Sequence, residues 1–270
     1  MNLRVLLIVM LSALMLAPSR HHCRTVQCST TLLAGRSNER TITEFWIYDS
    51  QGRLIIDSIN APDTLAATPA RTEHYEYRGD SIIGTGPYSR YMVIKVNPVN
   101  GLPLSNTQKY GIEYRAFYNA AGALDKVERS EEWVDKNGAK HNGLCKMDSI
   151  IYLNGNIIAY RTDDAPRGIK ATTYCTYFAN KLYAHELKPT DKRLALCYTL
   201  DGGIGFLNVQ VFSKNLLKSS ESNSVKKSYT YKLDSENKVT QMSTKIEEWG
   251  LNKSEYRTWT NRFSYKYLCD

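Results

Sequence analysis

The sequence predicts an all-β protein: sequential up-and-down antiparallel hairpins that form a strongly curved sheet or partly closed barrel. Three observations predict it. Apolar and aromatic residues alternate with polar ones at period two through most of the chain. Gly, Asn and Asp recur between the alternating runs. Tyrosine, which suits half-buried pleated surfaces better than helices, occurs 19 times against 6 for phenylalanine. With 270 residues, 42% of them hydrophobic, the chain can fill a core unaided, so no cofactor is expected.

Residues 1–19 read as a signal peptide. Arg4 supplies the positive start, Val5 to Ala17 is apolar apart from Ser12, and Ala17 and Ser19 fit the small positions before a cut at Arg20. Cys23 follows Arg20, His21 and His22 rather than a small aliphatic triplet, which disfavours a lipid anchor. Cleavage before Arg20 would place His22 third from a free amine, and that amine, two amide nitrogens and the imidazole suit square-planar Cu(II) or Ni(II). His21 and His22 are therefore the metal candidates. No later stretch is long and apolar enough to span a membrane as a helix. All six cysteines, Cys23, Cys28, Cys145, Cys175, Cys197 and Cys269, follow the leader, where at least one disulfide is expected with its pairing open. Cys28 closing on Cys23 and Cys269 tying down the last strand are two of the possibilities.

After an N-terminal Cys-containing segment (20–40), one repeat-built β domain is expected over 41–270. Its clearest strands are Thr41 to Tyr48, Arg53 to Ile59, Tyr91 to Val96, Ala123 to Val134, Leu144 to Leu153, Leu194 to Leu200, Phe206 to Ser213, Lys238 to Trp249 and Glu255 to Leu268. Asn137-Gly138, Asn154-Gly155 and Asp201-Gly202 provide turn chemistry between them. Ala61 to Arg71, Asn97 to Asn106, Thr162 to Lys170 and Lys214 to Val225 read as surface loops, because Pro, Gly, Ser and Asn gather there.

An internal repeat organises these pieces. Tyr48-Asp49-Ser50-Gln51-Gly52-Arg53-Leu54, Tyr118-Asn119-Ala120-Ala121-Gly122-Ala123-Leu124 and Leu233-Asp234-Ser235-Glu236-Asn237-Lys238-Val239 share one form: apolar or aromatic, Asp or Asn, two free positions, Gly or Asn, then a variable and an apolar residue. Its physics is a hairpin. The Asp or Asn side chain caps the turn, and the Gly or Asn takes the left-handed position. Shorter relatives begin at Tyr77, Tyr152 and Tyr177, which makes six hairpins on one plan. The units at Asn119 and Asp234 also carry Glu131-Glu132-Trp133 and Glu247-Glu248-Trp249 at nearly equal distances downstream, so a longer two-strand unit is duplicated.

The Tyr-Asp-x-x-Gly-Arg-Leu form at Tyr48 to Leu54 resembles the YD repeat of bacterial Rhs-type surface proteins. The whole array behind a signal peptide is similar to uncharacterised secreted or lipid-anchored envelope proteins of gut-type Gram-negative bacteria. The resemblance implies a porin-like antiparallel sheet and roles such as surface display, glycan contact or encapsulation. It carries over no catalytic residue, and the units after the first lose the Arg or the Gly of the motif.

The local motifs of common enzymes are missing, including His-Glu-x-x-His, Gly-x-Ser-x-Gly, the P-loop and Cys-x-x-Cys. Each Glu-Glu pair sits on a strand, where adjacent side chains point to opposite faces, so it does not make the paired carboxylates of a glycosidase. A non-enzymatic exported protein is expected. Its candidate ligand-binding residues are Trp46, Tyr48, Tyr256, Trp259, Arg262 and Tyr265, where flat rings that can stack on sugars lie among cations that attract uronates or phosphates. Set against this is the plain reading that such rings are the sheet's own packing. Export argues against nucleic acid as partner. A transmembrane barrel is disfavoured because Lys238 to Trp249 has polar residues on both faces. The alternatives are a periplasmic carrier of a lipid or other hydrophobic ligand and, third, a secreted hydrolase. The concave face discriminates: continuous aliphatics favour the carrier, exposed rings with Arg or Lys the glycan, and converging carboxylates or His the enzyme.

Overall fold

The computed structural model describes residues 23–34, 37–60, 71–86, 92–108, 111–135, 137–182, 213–249 and 255–269, and in it the chain closes into an antiparallel barrel. The first half comprises β1 (Cys23–Leu32), β2 (Arg40–Tyr48), β3 (Leu54–Asn60), β4 (Arg71–Arg78), β5 (Ser81–Thr85), β6 (Met92–Val96), β7 (Pro103–Thr107) and β8 (Glu113–Tyr118). The second comprises β9 (Leu124–Val134), β10 (Lys140–Leu153), β11 (Asn156–Asp164), β12 (Ile169–Leu182), β13 (Asn215–Glu221), β14 (Val225–Leu233), β15 (Val239–Trp249) and β16 (Tyr256–Cys269). Among the described residues there are sixteen strands and no helix, each strand pairs with the next in sequence, and β16 closes on β1. Short connections dictate sequential pairing, and closure removes the unpaired edges of an open sheet. β1, inside the segment set apart as N-terminal, is thus a barrel strand.

Three local expectations are corrected. β7 and β13 fall in segments read as loops: Pro103, Ser105 and Asn106, or Lys218, Ser219 and Ser220, show no alternation, yet ladders on both sides hold these segments extended. The expected Thr162–Lys170 loop shrinks to the turn between β11 and β12. Tyr177 to Leu182 is no hairpin but the end of β12, where Tyr177 and Leu182 pair with Leu217 and Asn215, so a bulge absorbs the irregularity. The leader, His21, His22, Cys197, Leu194 to Leu200 and most of Phe206 to Ser213 lie outside the described residues.

The repeat turns form as their chemistry requires. Asp49 Oδ1 accepts from the amides of Gln51 and Arg53, Asn119 Oδ1 from Ala121 and Ala123, and Asp234 Oδ1 from Glu236 and Lys238. Gly52, Gly122 and Asn237 take φ of 77°, 76° and 62°. Asp135, at the opposite end of the barrel, builds the same turn by accepting from Asn137 and Ala139, with Gly138 at φ 84°. Its carboxyl is held below the usual range by a hydrogen bond from His141 and by those two amides. Trp133 stacks on that His141 at 4.3 Å.

Next to these turns, tyrosines line the inner wall. The hydroxyl of Tyr48 donates to Thr25 O at 2.8 Å, Tyr77 to Leu54 O at 3.0 Å and Tyr118 to Pro103 O at 2.8 Å. Tyr177 donates to Ile157 O at 2.6 Å, Tyr231 to Leu217 O at 2.9 Å and Tyr267 to Val239 O at 2.7 Å. In each case an even-numbered strand reaches the carbonyl of the strand before it. Leu54, Ile94, Ile157 and Leu217 have no solvent exposure, and the inward side chains form one apolar cluster around the barrel. Full burial of such a side chain contributes about 1.5–3 kcal/mol.

The outer wall is wet. Exposed Gln241 and Lys245 alternate with buried Met242 and Thr244 on β15, and exposed Arg262, Ser264 and Lys266 flank buried Tyr265 on β16. Ion pairs two residues apart run along outer strand faces: Glu76 with Arg78, Glu113 with Arg115, Lys126 with Glu128 and Lys245 with Glu247. Such pairs add little stability, but with exposed Phe45, Ile47, Leu104 and Phe117 elsewhere on the outer strand faces they make a mixed surface rather than the continuous apolar band of a lipid-facing barrel. Cys28, Cys145 and Cys175 are buried thiols outside any disulfide, so Cys28 does not close on Cys23. Burial pushes the Cys145 thiol up to about 11 and the Cys175 thiol to about 12. They serve as small hydrophobes rather than nucleophiles.

Candidate functional site

A surface depression lies outside the barrel, where β10, β11 and β12 pair. Their register sets three cross-strand rows on one face: Ile151, Ala159 and Tyr174; then Ser149, Arg161 and Thr172; then Met147, Asp163 and Lys170. The second and third rows, with Thr162 and Ala171, line a cleft of about 370 Å³. Tyr174 stands at its margin, 64% exposed, one row from Arg161. Lys170 Nζ is 3.0 Å from Asp163 Oδ2, an ion pair that neutralises the third row. Among the described residues Arg161 has no ion-pair partner. The cleft therefore holds an open guanidinium and two hydroxyls, with a stackable ring in the adjoining row, a set suited to a hydroxylated ring carrying a negative group.

Alternate residues of β10 and of the neighbouring β9 carry charge on the inner wall. Arg129 pairs with Glu131 at 2.6 Å, and Lys146 lies 3.6 Å from Asp148, which also accepts from the Thr162 hydroxyl. The Cys145 thiol donates to Arg129 O and approaches Glu131 Oε1. Burial holds the Asp148 carboxyl above its ordinary value even though Thr162 and Lys146 pull the other way. One row joins Asn106, Tyr114, Arg129, Lys146 and Asp164 across β7 to β11. Asn106 is 1% exposed, and its amide has no hydrogen-bond partner among the described residues; the same holds for Trp46 Nε1 and Arg129 Nε.

The six residues singled out in the sequence do not meet on one face. Trp46 and Tyr265 are buried core, and Tyr48 belongs to the inner tyrosine row with its hydroxyl bonded. Trp259 is half-buried and lies opposite Ile246, in the inner row with Lys227, whose ammonium is disfavoured by burial. Tyr256 and Arg262 are exposed, and the Tyr256 hydroxyl donates to Glu247 at 2.7 Å. The Glu pairs split across the wall as strand geometry requires: Glu131 is held by Arg129, while Glu132 is exposed. Among the described residues no group of three or more His, Cys, Asp or Glu is placed to hold a metal ion.

Arg161, Thr172 and Tyr174 escaped the sequence reading because much of their neighbourhood, Thr162 to Lys170, reads as a loop. The available signal was the alternation of Lys170, Thr172 and Tyr174 with Ala171, Thr173 and Cys175, which marks one strand with two distinct faces.

No protein-family model matches the chain, and no curated protein matches it. Among solved structures it is similar to a porin-like protein from Bacteroides uniformis, with 16% identity and a TM-score of 0.63 over 90% of this chain and 98% of that one. It is also similar to a porin-like protein from Bacteroides vulgatus, with 13% identity and a TM-score of 0.47 over 90% and 99%. The first likeness establishes the fold this chain shares: an up-and-down antiparallel barrel, the porin-like sheet that the repeat array implied.

Proposed function

We propose that this chain is an exported, non-enzymatic β-barrel of the bacterial envelope that binds a glycan in the outer cleft of β10 to β12. The observation that carries this reading is the cleft itself, where the hydroxyls of Ser149 and Thr172 and Arg161, which has no ion-pair partner among the described residues, share one accessible face with exposed Tyr174 in the adjoining row. The aromatics of the inner wall are buried or partly buried, and six of their hydroxyls already serve backbone carbonyls. The leader-like residues 1–19 support export, and the charged outer wall supports a barrel that stays in water rather than lipid. The test is retention on an array of neutral and acidic polysaccharides. Wild type should be retained and Tyr174→Ala should not, with its melting temperature unchanged. A wild type retained by no glycan removes the proposal.

One observation favours the carrier reading as well: the apolar part of the inner wall includes Trp46, Asn106 lies on the same wall, and both carry polar atoms with no hydrogen-bond partner among the described residues. A ligand with an apolar body and a hydrogen-bonding head would satisfy both requirements. Native mass spectrometry of the exported protein incubated with lauric acid checks it, since absence of a bound adduct removes that reading.

A further inference from the structure

We infer that the outer cleft recognises a carboxylate, so that its occupant is an acidic sugar of the hexuronate class bound through Arg161; this rests on the glycan reading. The cleft holds two cations, and the structure treats them differently. Lys170 is matched by Asp163 at 3.0 Å, so its charge is already answered within the protein. Arg161, in the next row, has no acidic partner among the described residues and is exposed. One positive charge is left over, and it is a planar guanidinium rather than an ammonium. That fork matches the two oxygens of a carboxylate in a bidentate pair, whereas an ammonium acts as a point charge.

The neighbours of Arg161 narrow the class further. Ser149 lies directly opposite on β10 and Thr172 directly opposite on β12, so hydroxyls flank the guanidinium at the interstrand spacing of about 4.8 Å. They can bond the carboxylate or the ring hydroxyls beside it. Tyr174, two residues beyond Thr172 on the same face, offers a ring on which a pyranose can lie. The neutral Lys170–Asp163 pair on the other side leaves no second unanswered cation, so a chain bearing one carboxylate per sugar suits the cleft better than a densely sulfated one.

Titration calorimetry with three probes tests this: an oligogalacturonate, the matching neutral galactan oligomer and a sulfated galactan oligomer. The oligogalacturonate should bind at least about tenfold more tightly than either of the others, and binding should weaken as salt rises from about 20 to about 300 mM. Arg161→Gln should bring oligogalacturonate down to the neutral level, and Arg161→Lys should recover only part of the loss, with thermal melts showing both variants folded. Equal binding of neutral and uronate oligomers, or an Arg161→Gln variant that binds like wild type, overturns the carboxylate inference and leaves the glycan reading standing. Equal binding of sulfated and uronate oligomers overturns it too, because charge alone would then explain recognition. Binding of none of the three by wild type, together with no retention on the wider array, removes the glycan reading itself.

Discussion

Tyr174 and Tyr177 lie three residues apart on β12 and belong to two different regions. Tyr177 points inward at the end of the barrel closed by the repeat turns, where its hydroxyl reaches Ile157 O at 2.6 Å and Ser213 Oγ at 2.8 Å. Tyr174 points outward beside the cleft and is 64% exposed. The comparison shows that residue type alone does not separate architecture from recognition here. At the turn end, tyrosines pack as hydrophobes and satisfy carbonyls left open beside the bulges, so a ligand cannot reach their rings. On the outer wall, the same side chain stabilises almost nothing and is available.

The sharpest way to break this division is to remove packing from the turn end. Leu217→Ala should cost about 2–5 kcal/mol in urea unfolding, because a side chain with no exposure leaves a cavity. A cost below about 1 kcal/mol would mean that this end is loosely packed and available to ligands after all.

A finer test separates bonded from unbonded tyrosines within the inner wall. Tyr231→Phe removes the hydrogen bond to the Leu217 carbonyl and should cost about 1–2 kcal/mol. Tyr152→Phe should be neutral or slightly stabilising, since the buried Tyr152 hydroxyl has no hydrogen-bond partner among the described residues. Equal effects in the two variants would dissolve the distinction.

Next in size is a pH effect behind the cleft. Burial raises the Asp148 carboxyl above its ordinary 3.8, so the folded chain holds that proton more tightly than the unfolded chain. Its contribution to stability is complete below 3.8 and is lost as pH rises through the raised folded value. Asp135, held low by His141, acts with the opposite sign, so the comparison must be between wild type and variant. Asp148→Asn should remove the decline from the wild-type stability curve, and an unchanged curve would show that Asp148 is not buried as charge-costly. The smallest effect belongs to the cleft: Tyr174→Ala should change unfolding free energy by less than about 0.5 kcal/mol. A larger loss would make Tyr174 part of the architecture.

Much of the fold was legible in the sequence because its instructions are local. Asp49, Asn119 and Asp234 cap their turns with amides two and four residues ahead, so five consecutive residues are enough to recognise each hairpin. β7 and β13 were illegible for the converse reason: they are held extended by neighbouring strands rather than by their own residues. The candidate site was less legible still. Trp46 and Tyr265 looked like binding residues because period two defines two faces without saying which one turns inward.

By itself, then, the sequence determined the hairpin turns, the alternation of the strands and the sequential order in which they pair. Tertiary structure alone decided the closure of β16 on β1, the inward face and the cleft. Closure sets Cys23 opposite Cys269, and the cleft sets Ser149, Arg161 and Thr172 side by side. The physical reason is distance along the chain: a turn is satisfied within a few residues, whereas closure and a three-strand row depend on registers that only the assembled barrel sets.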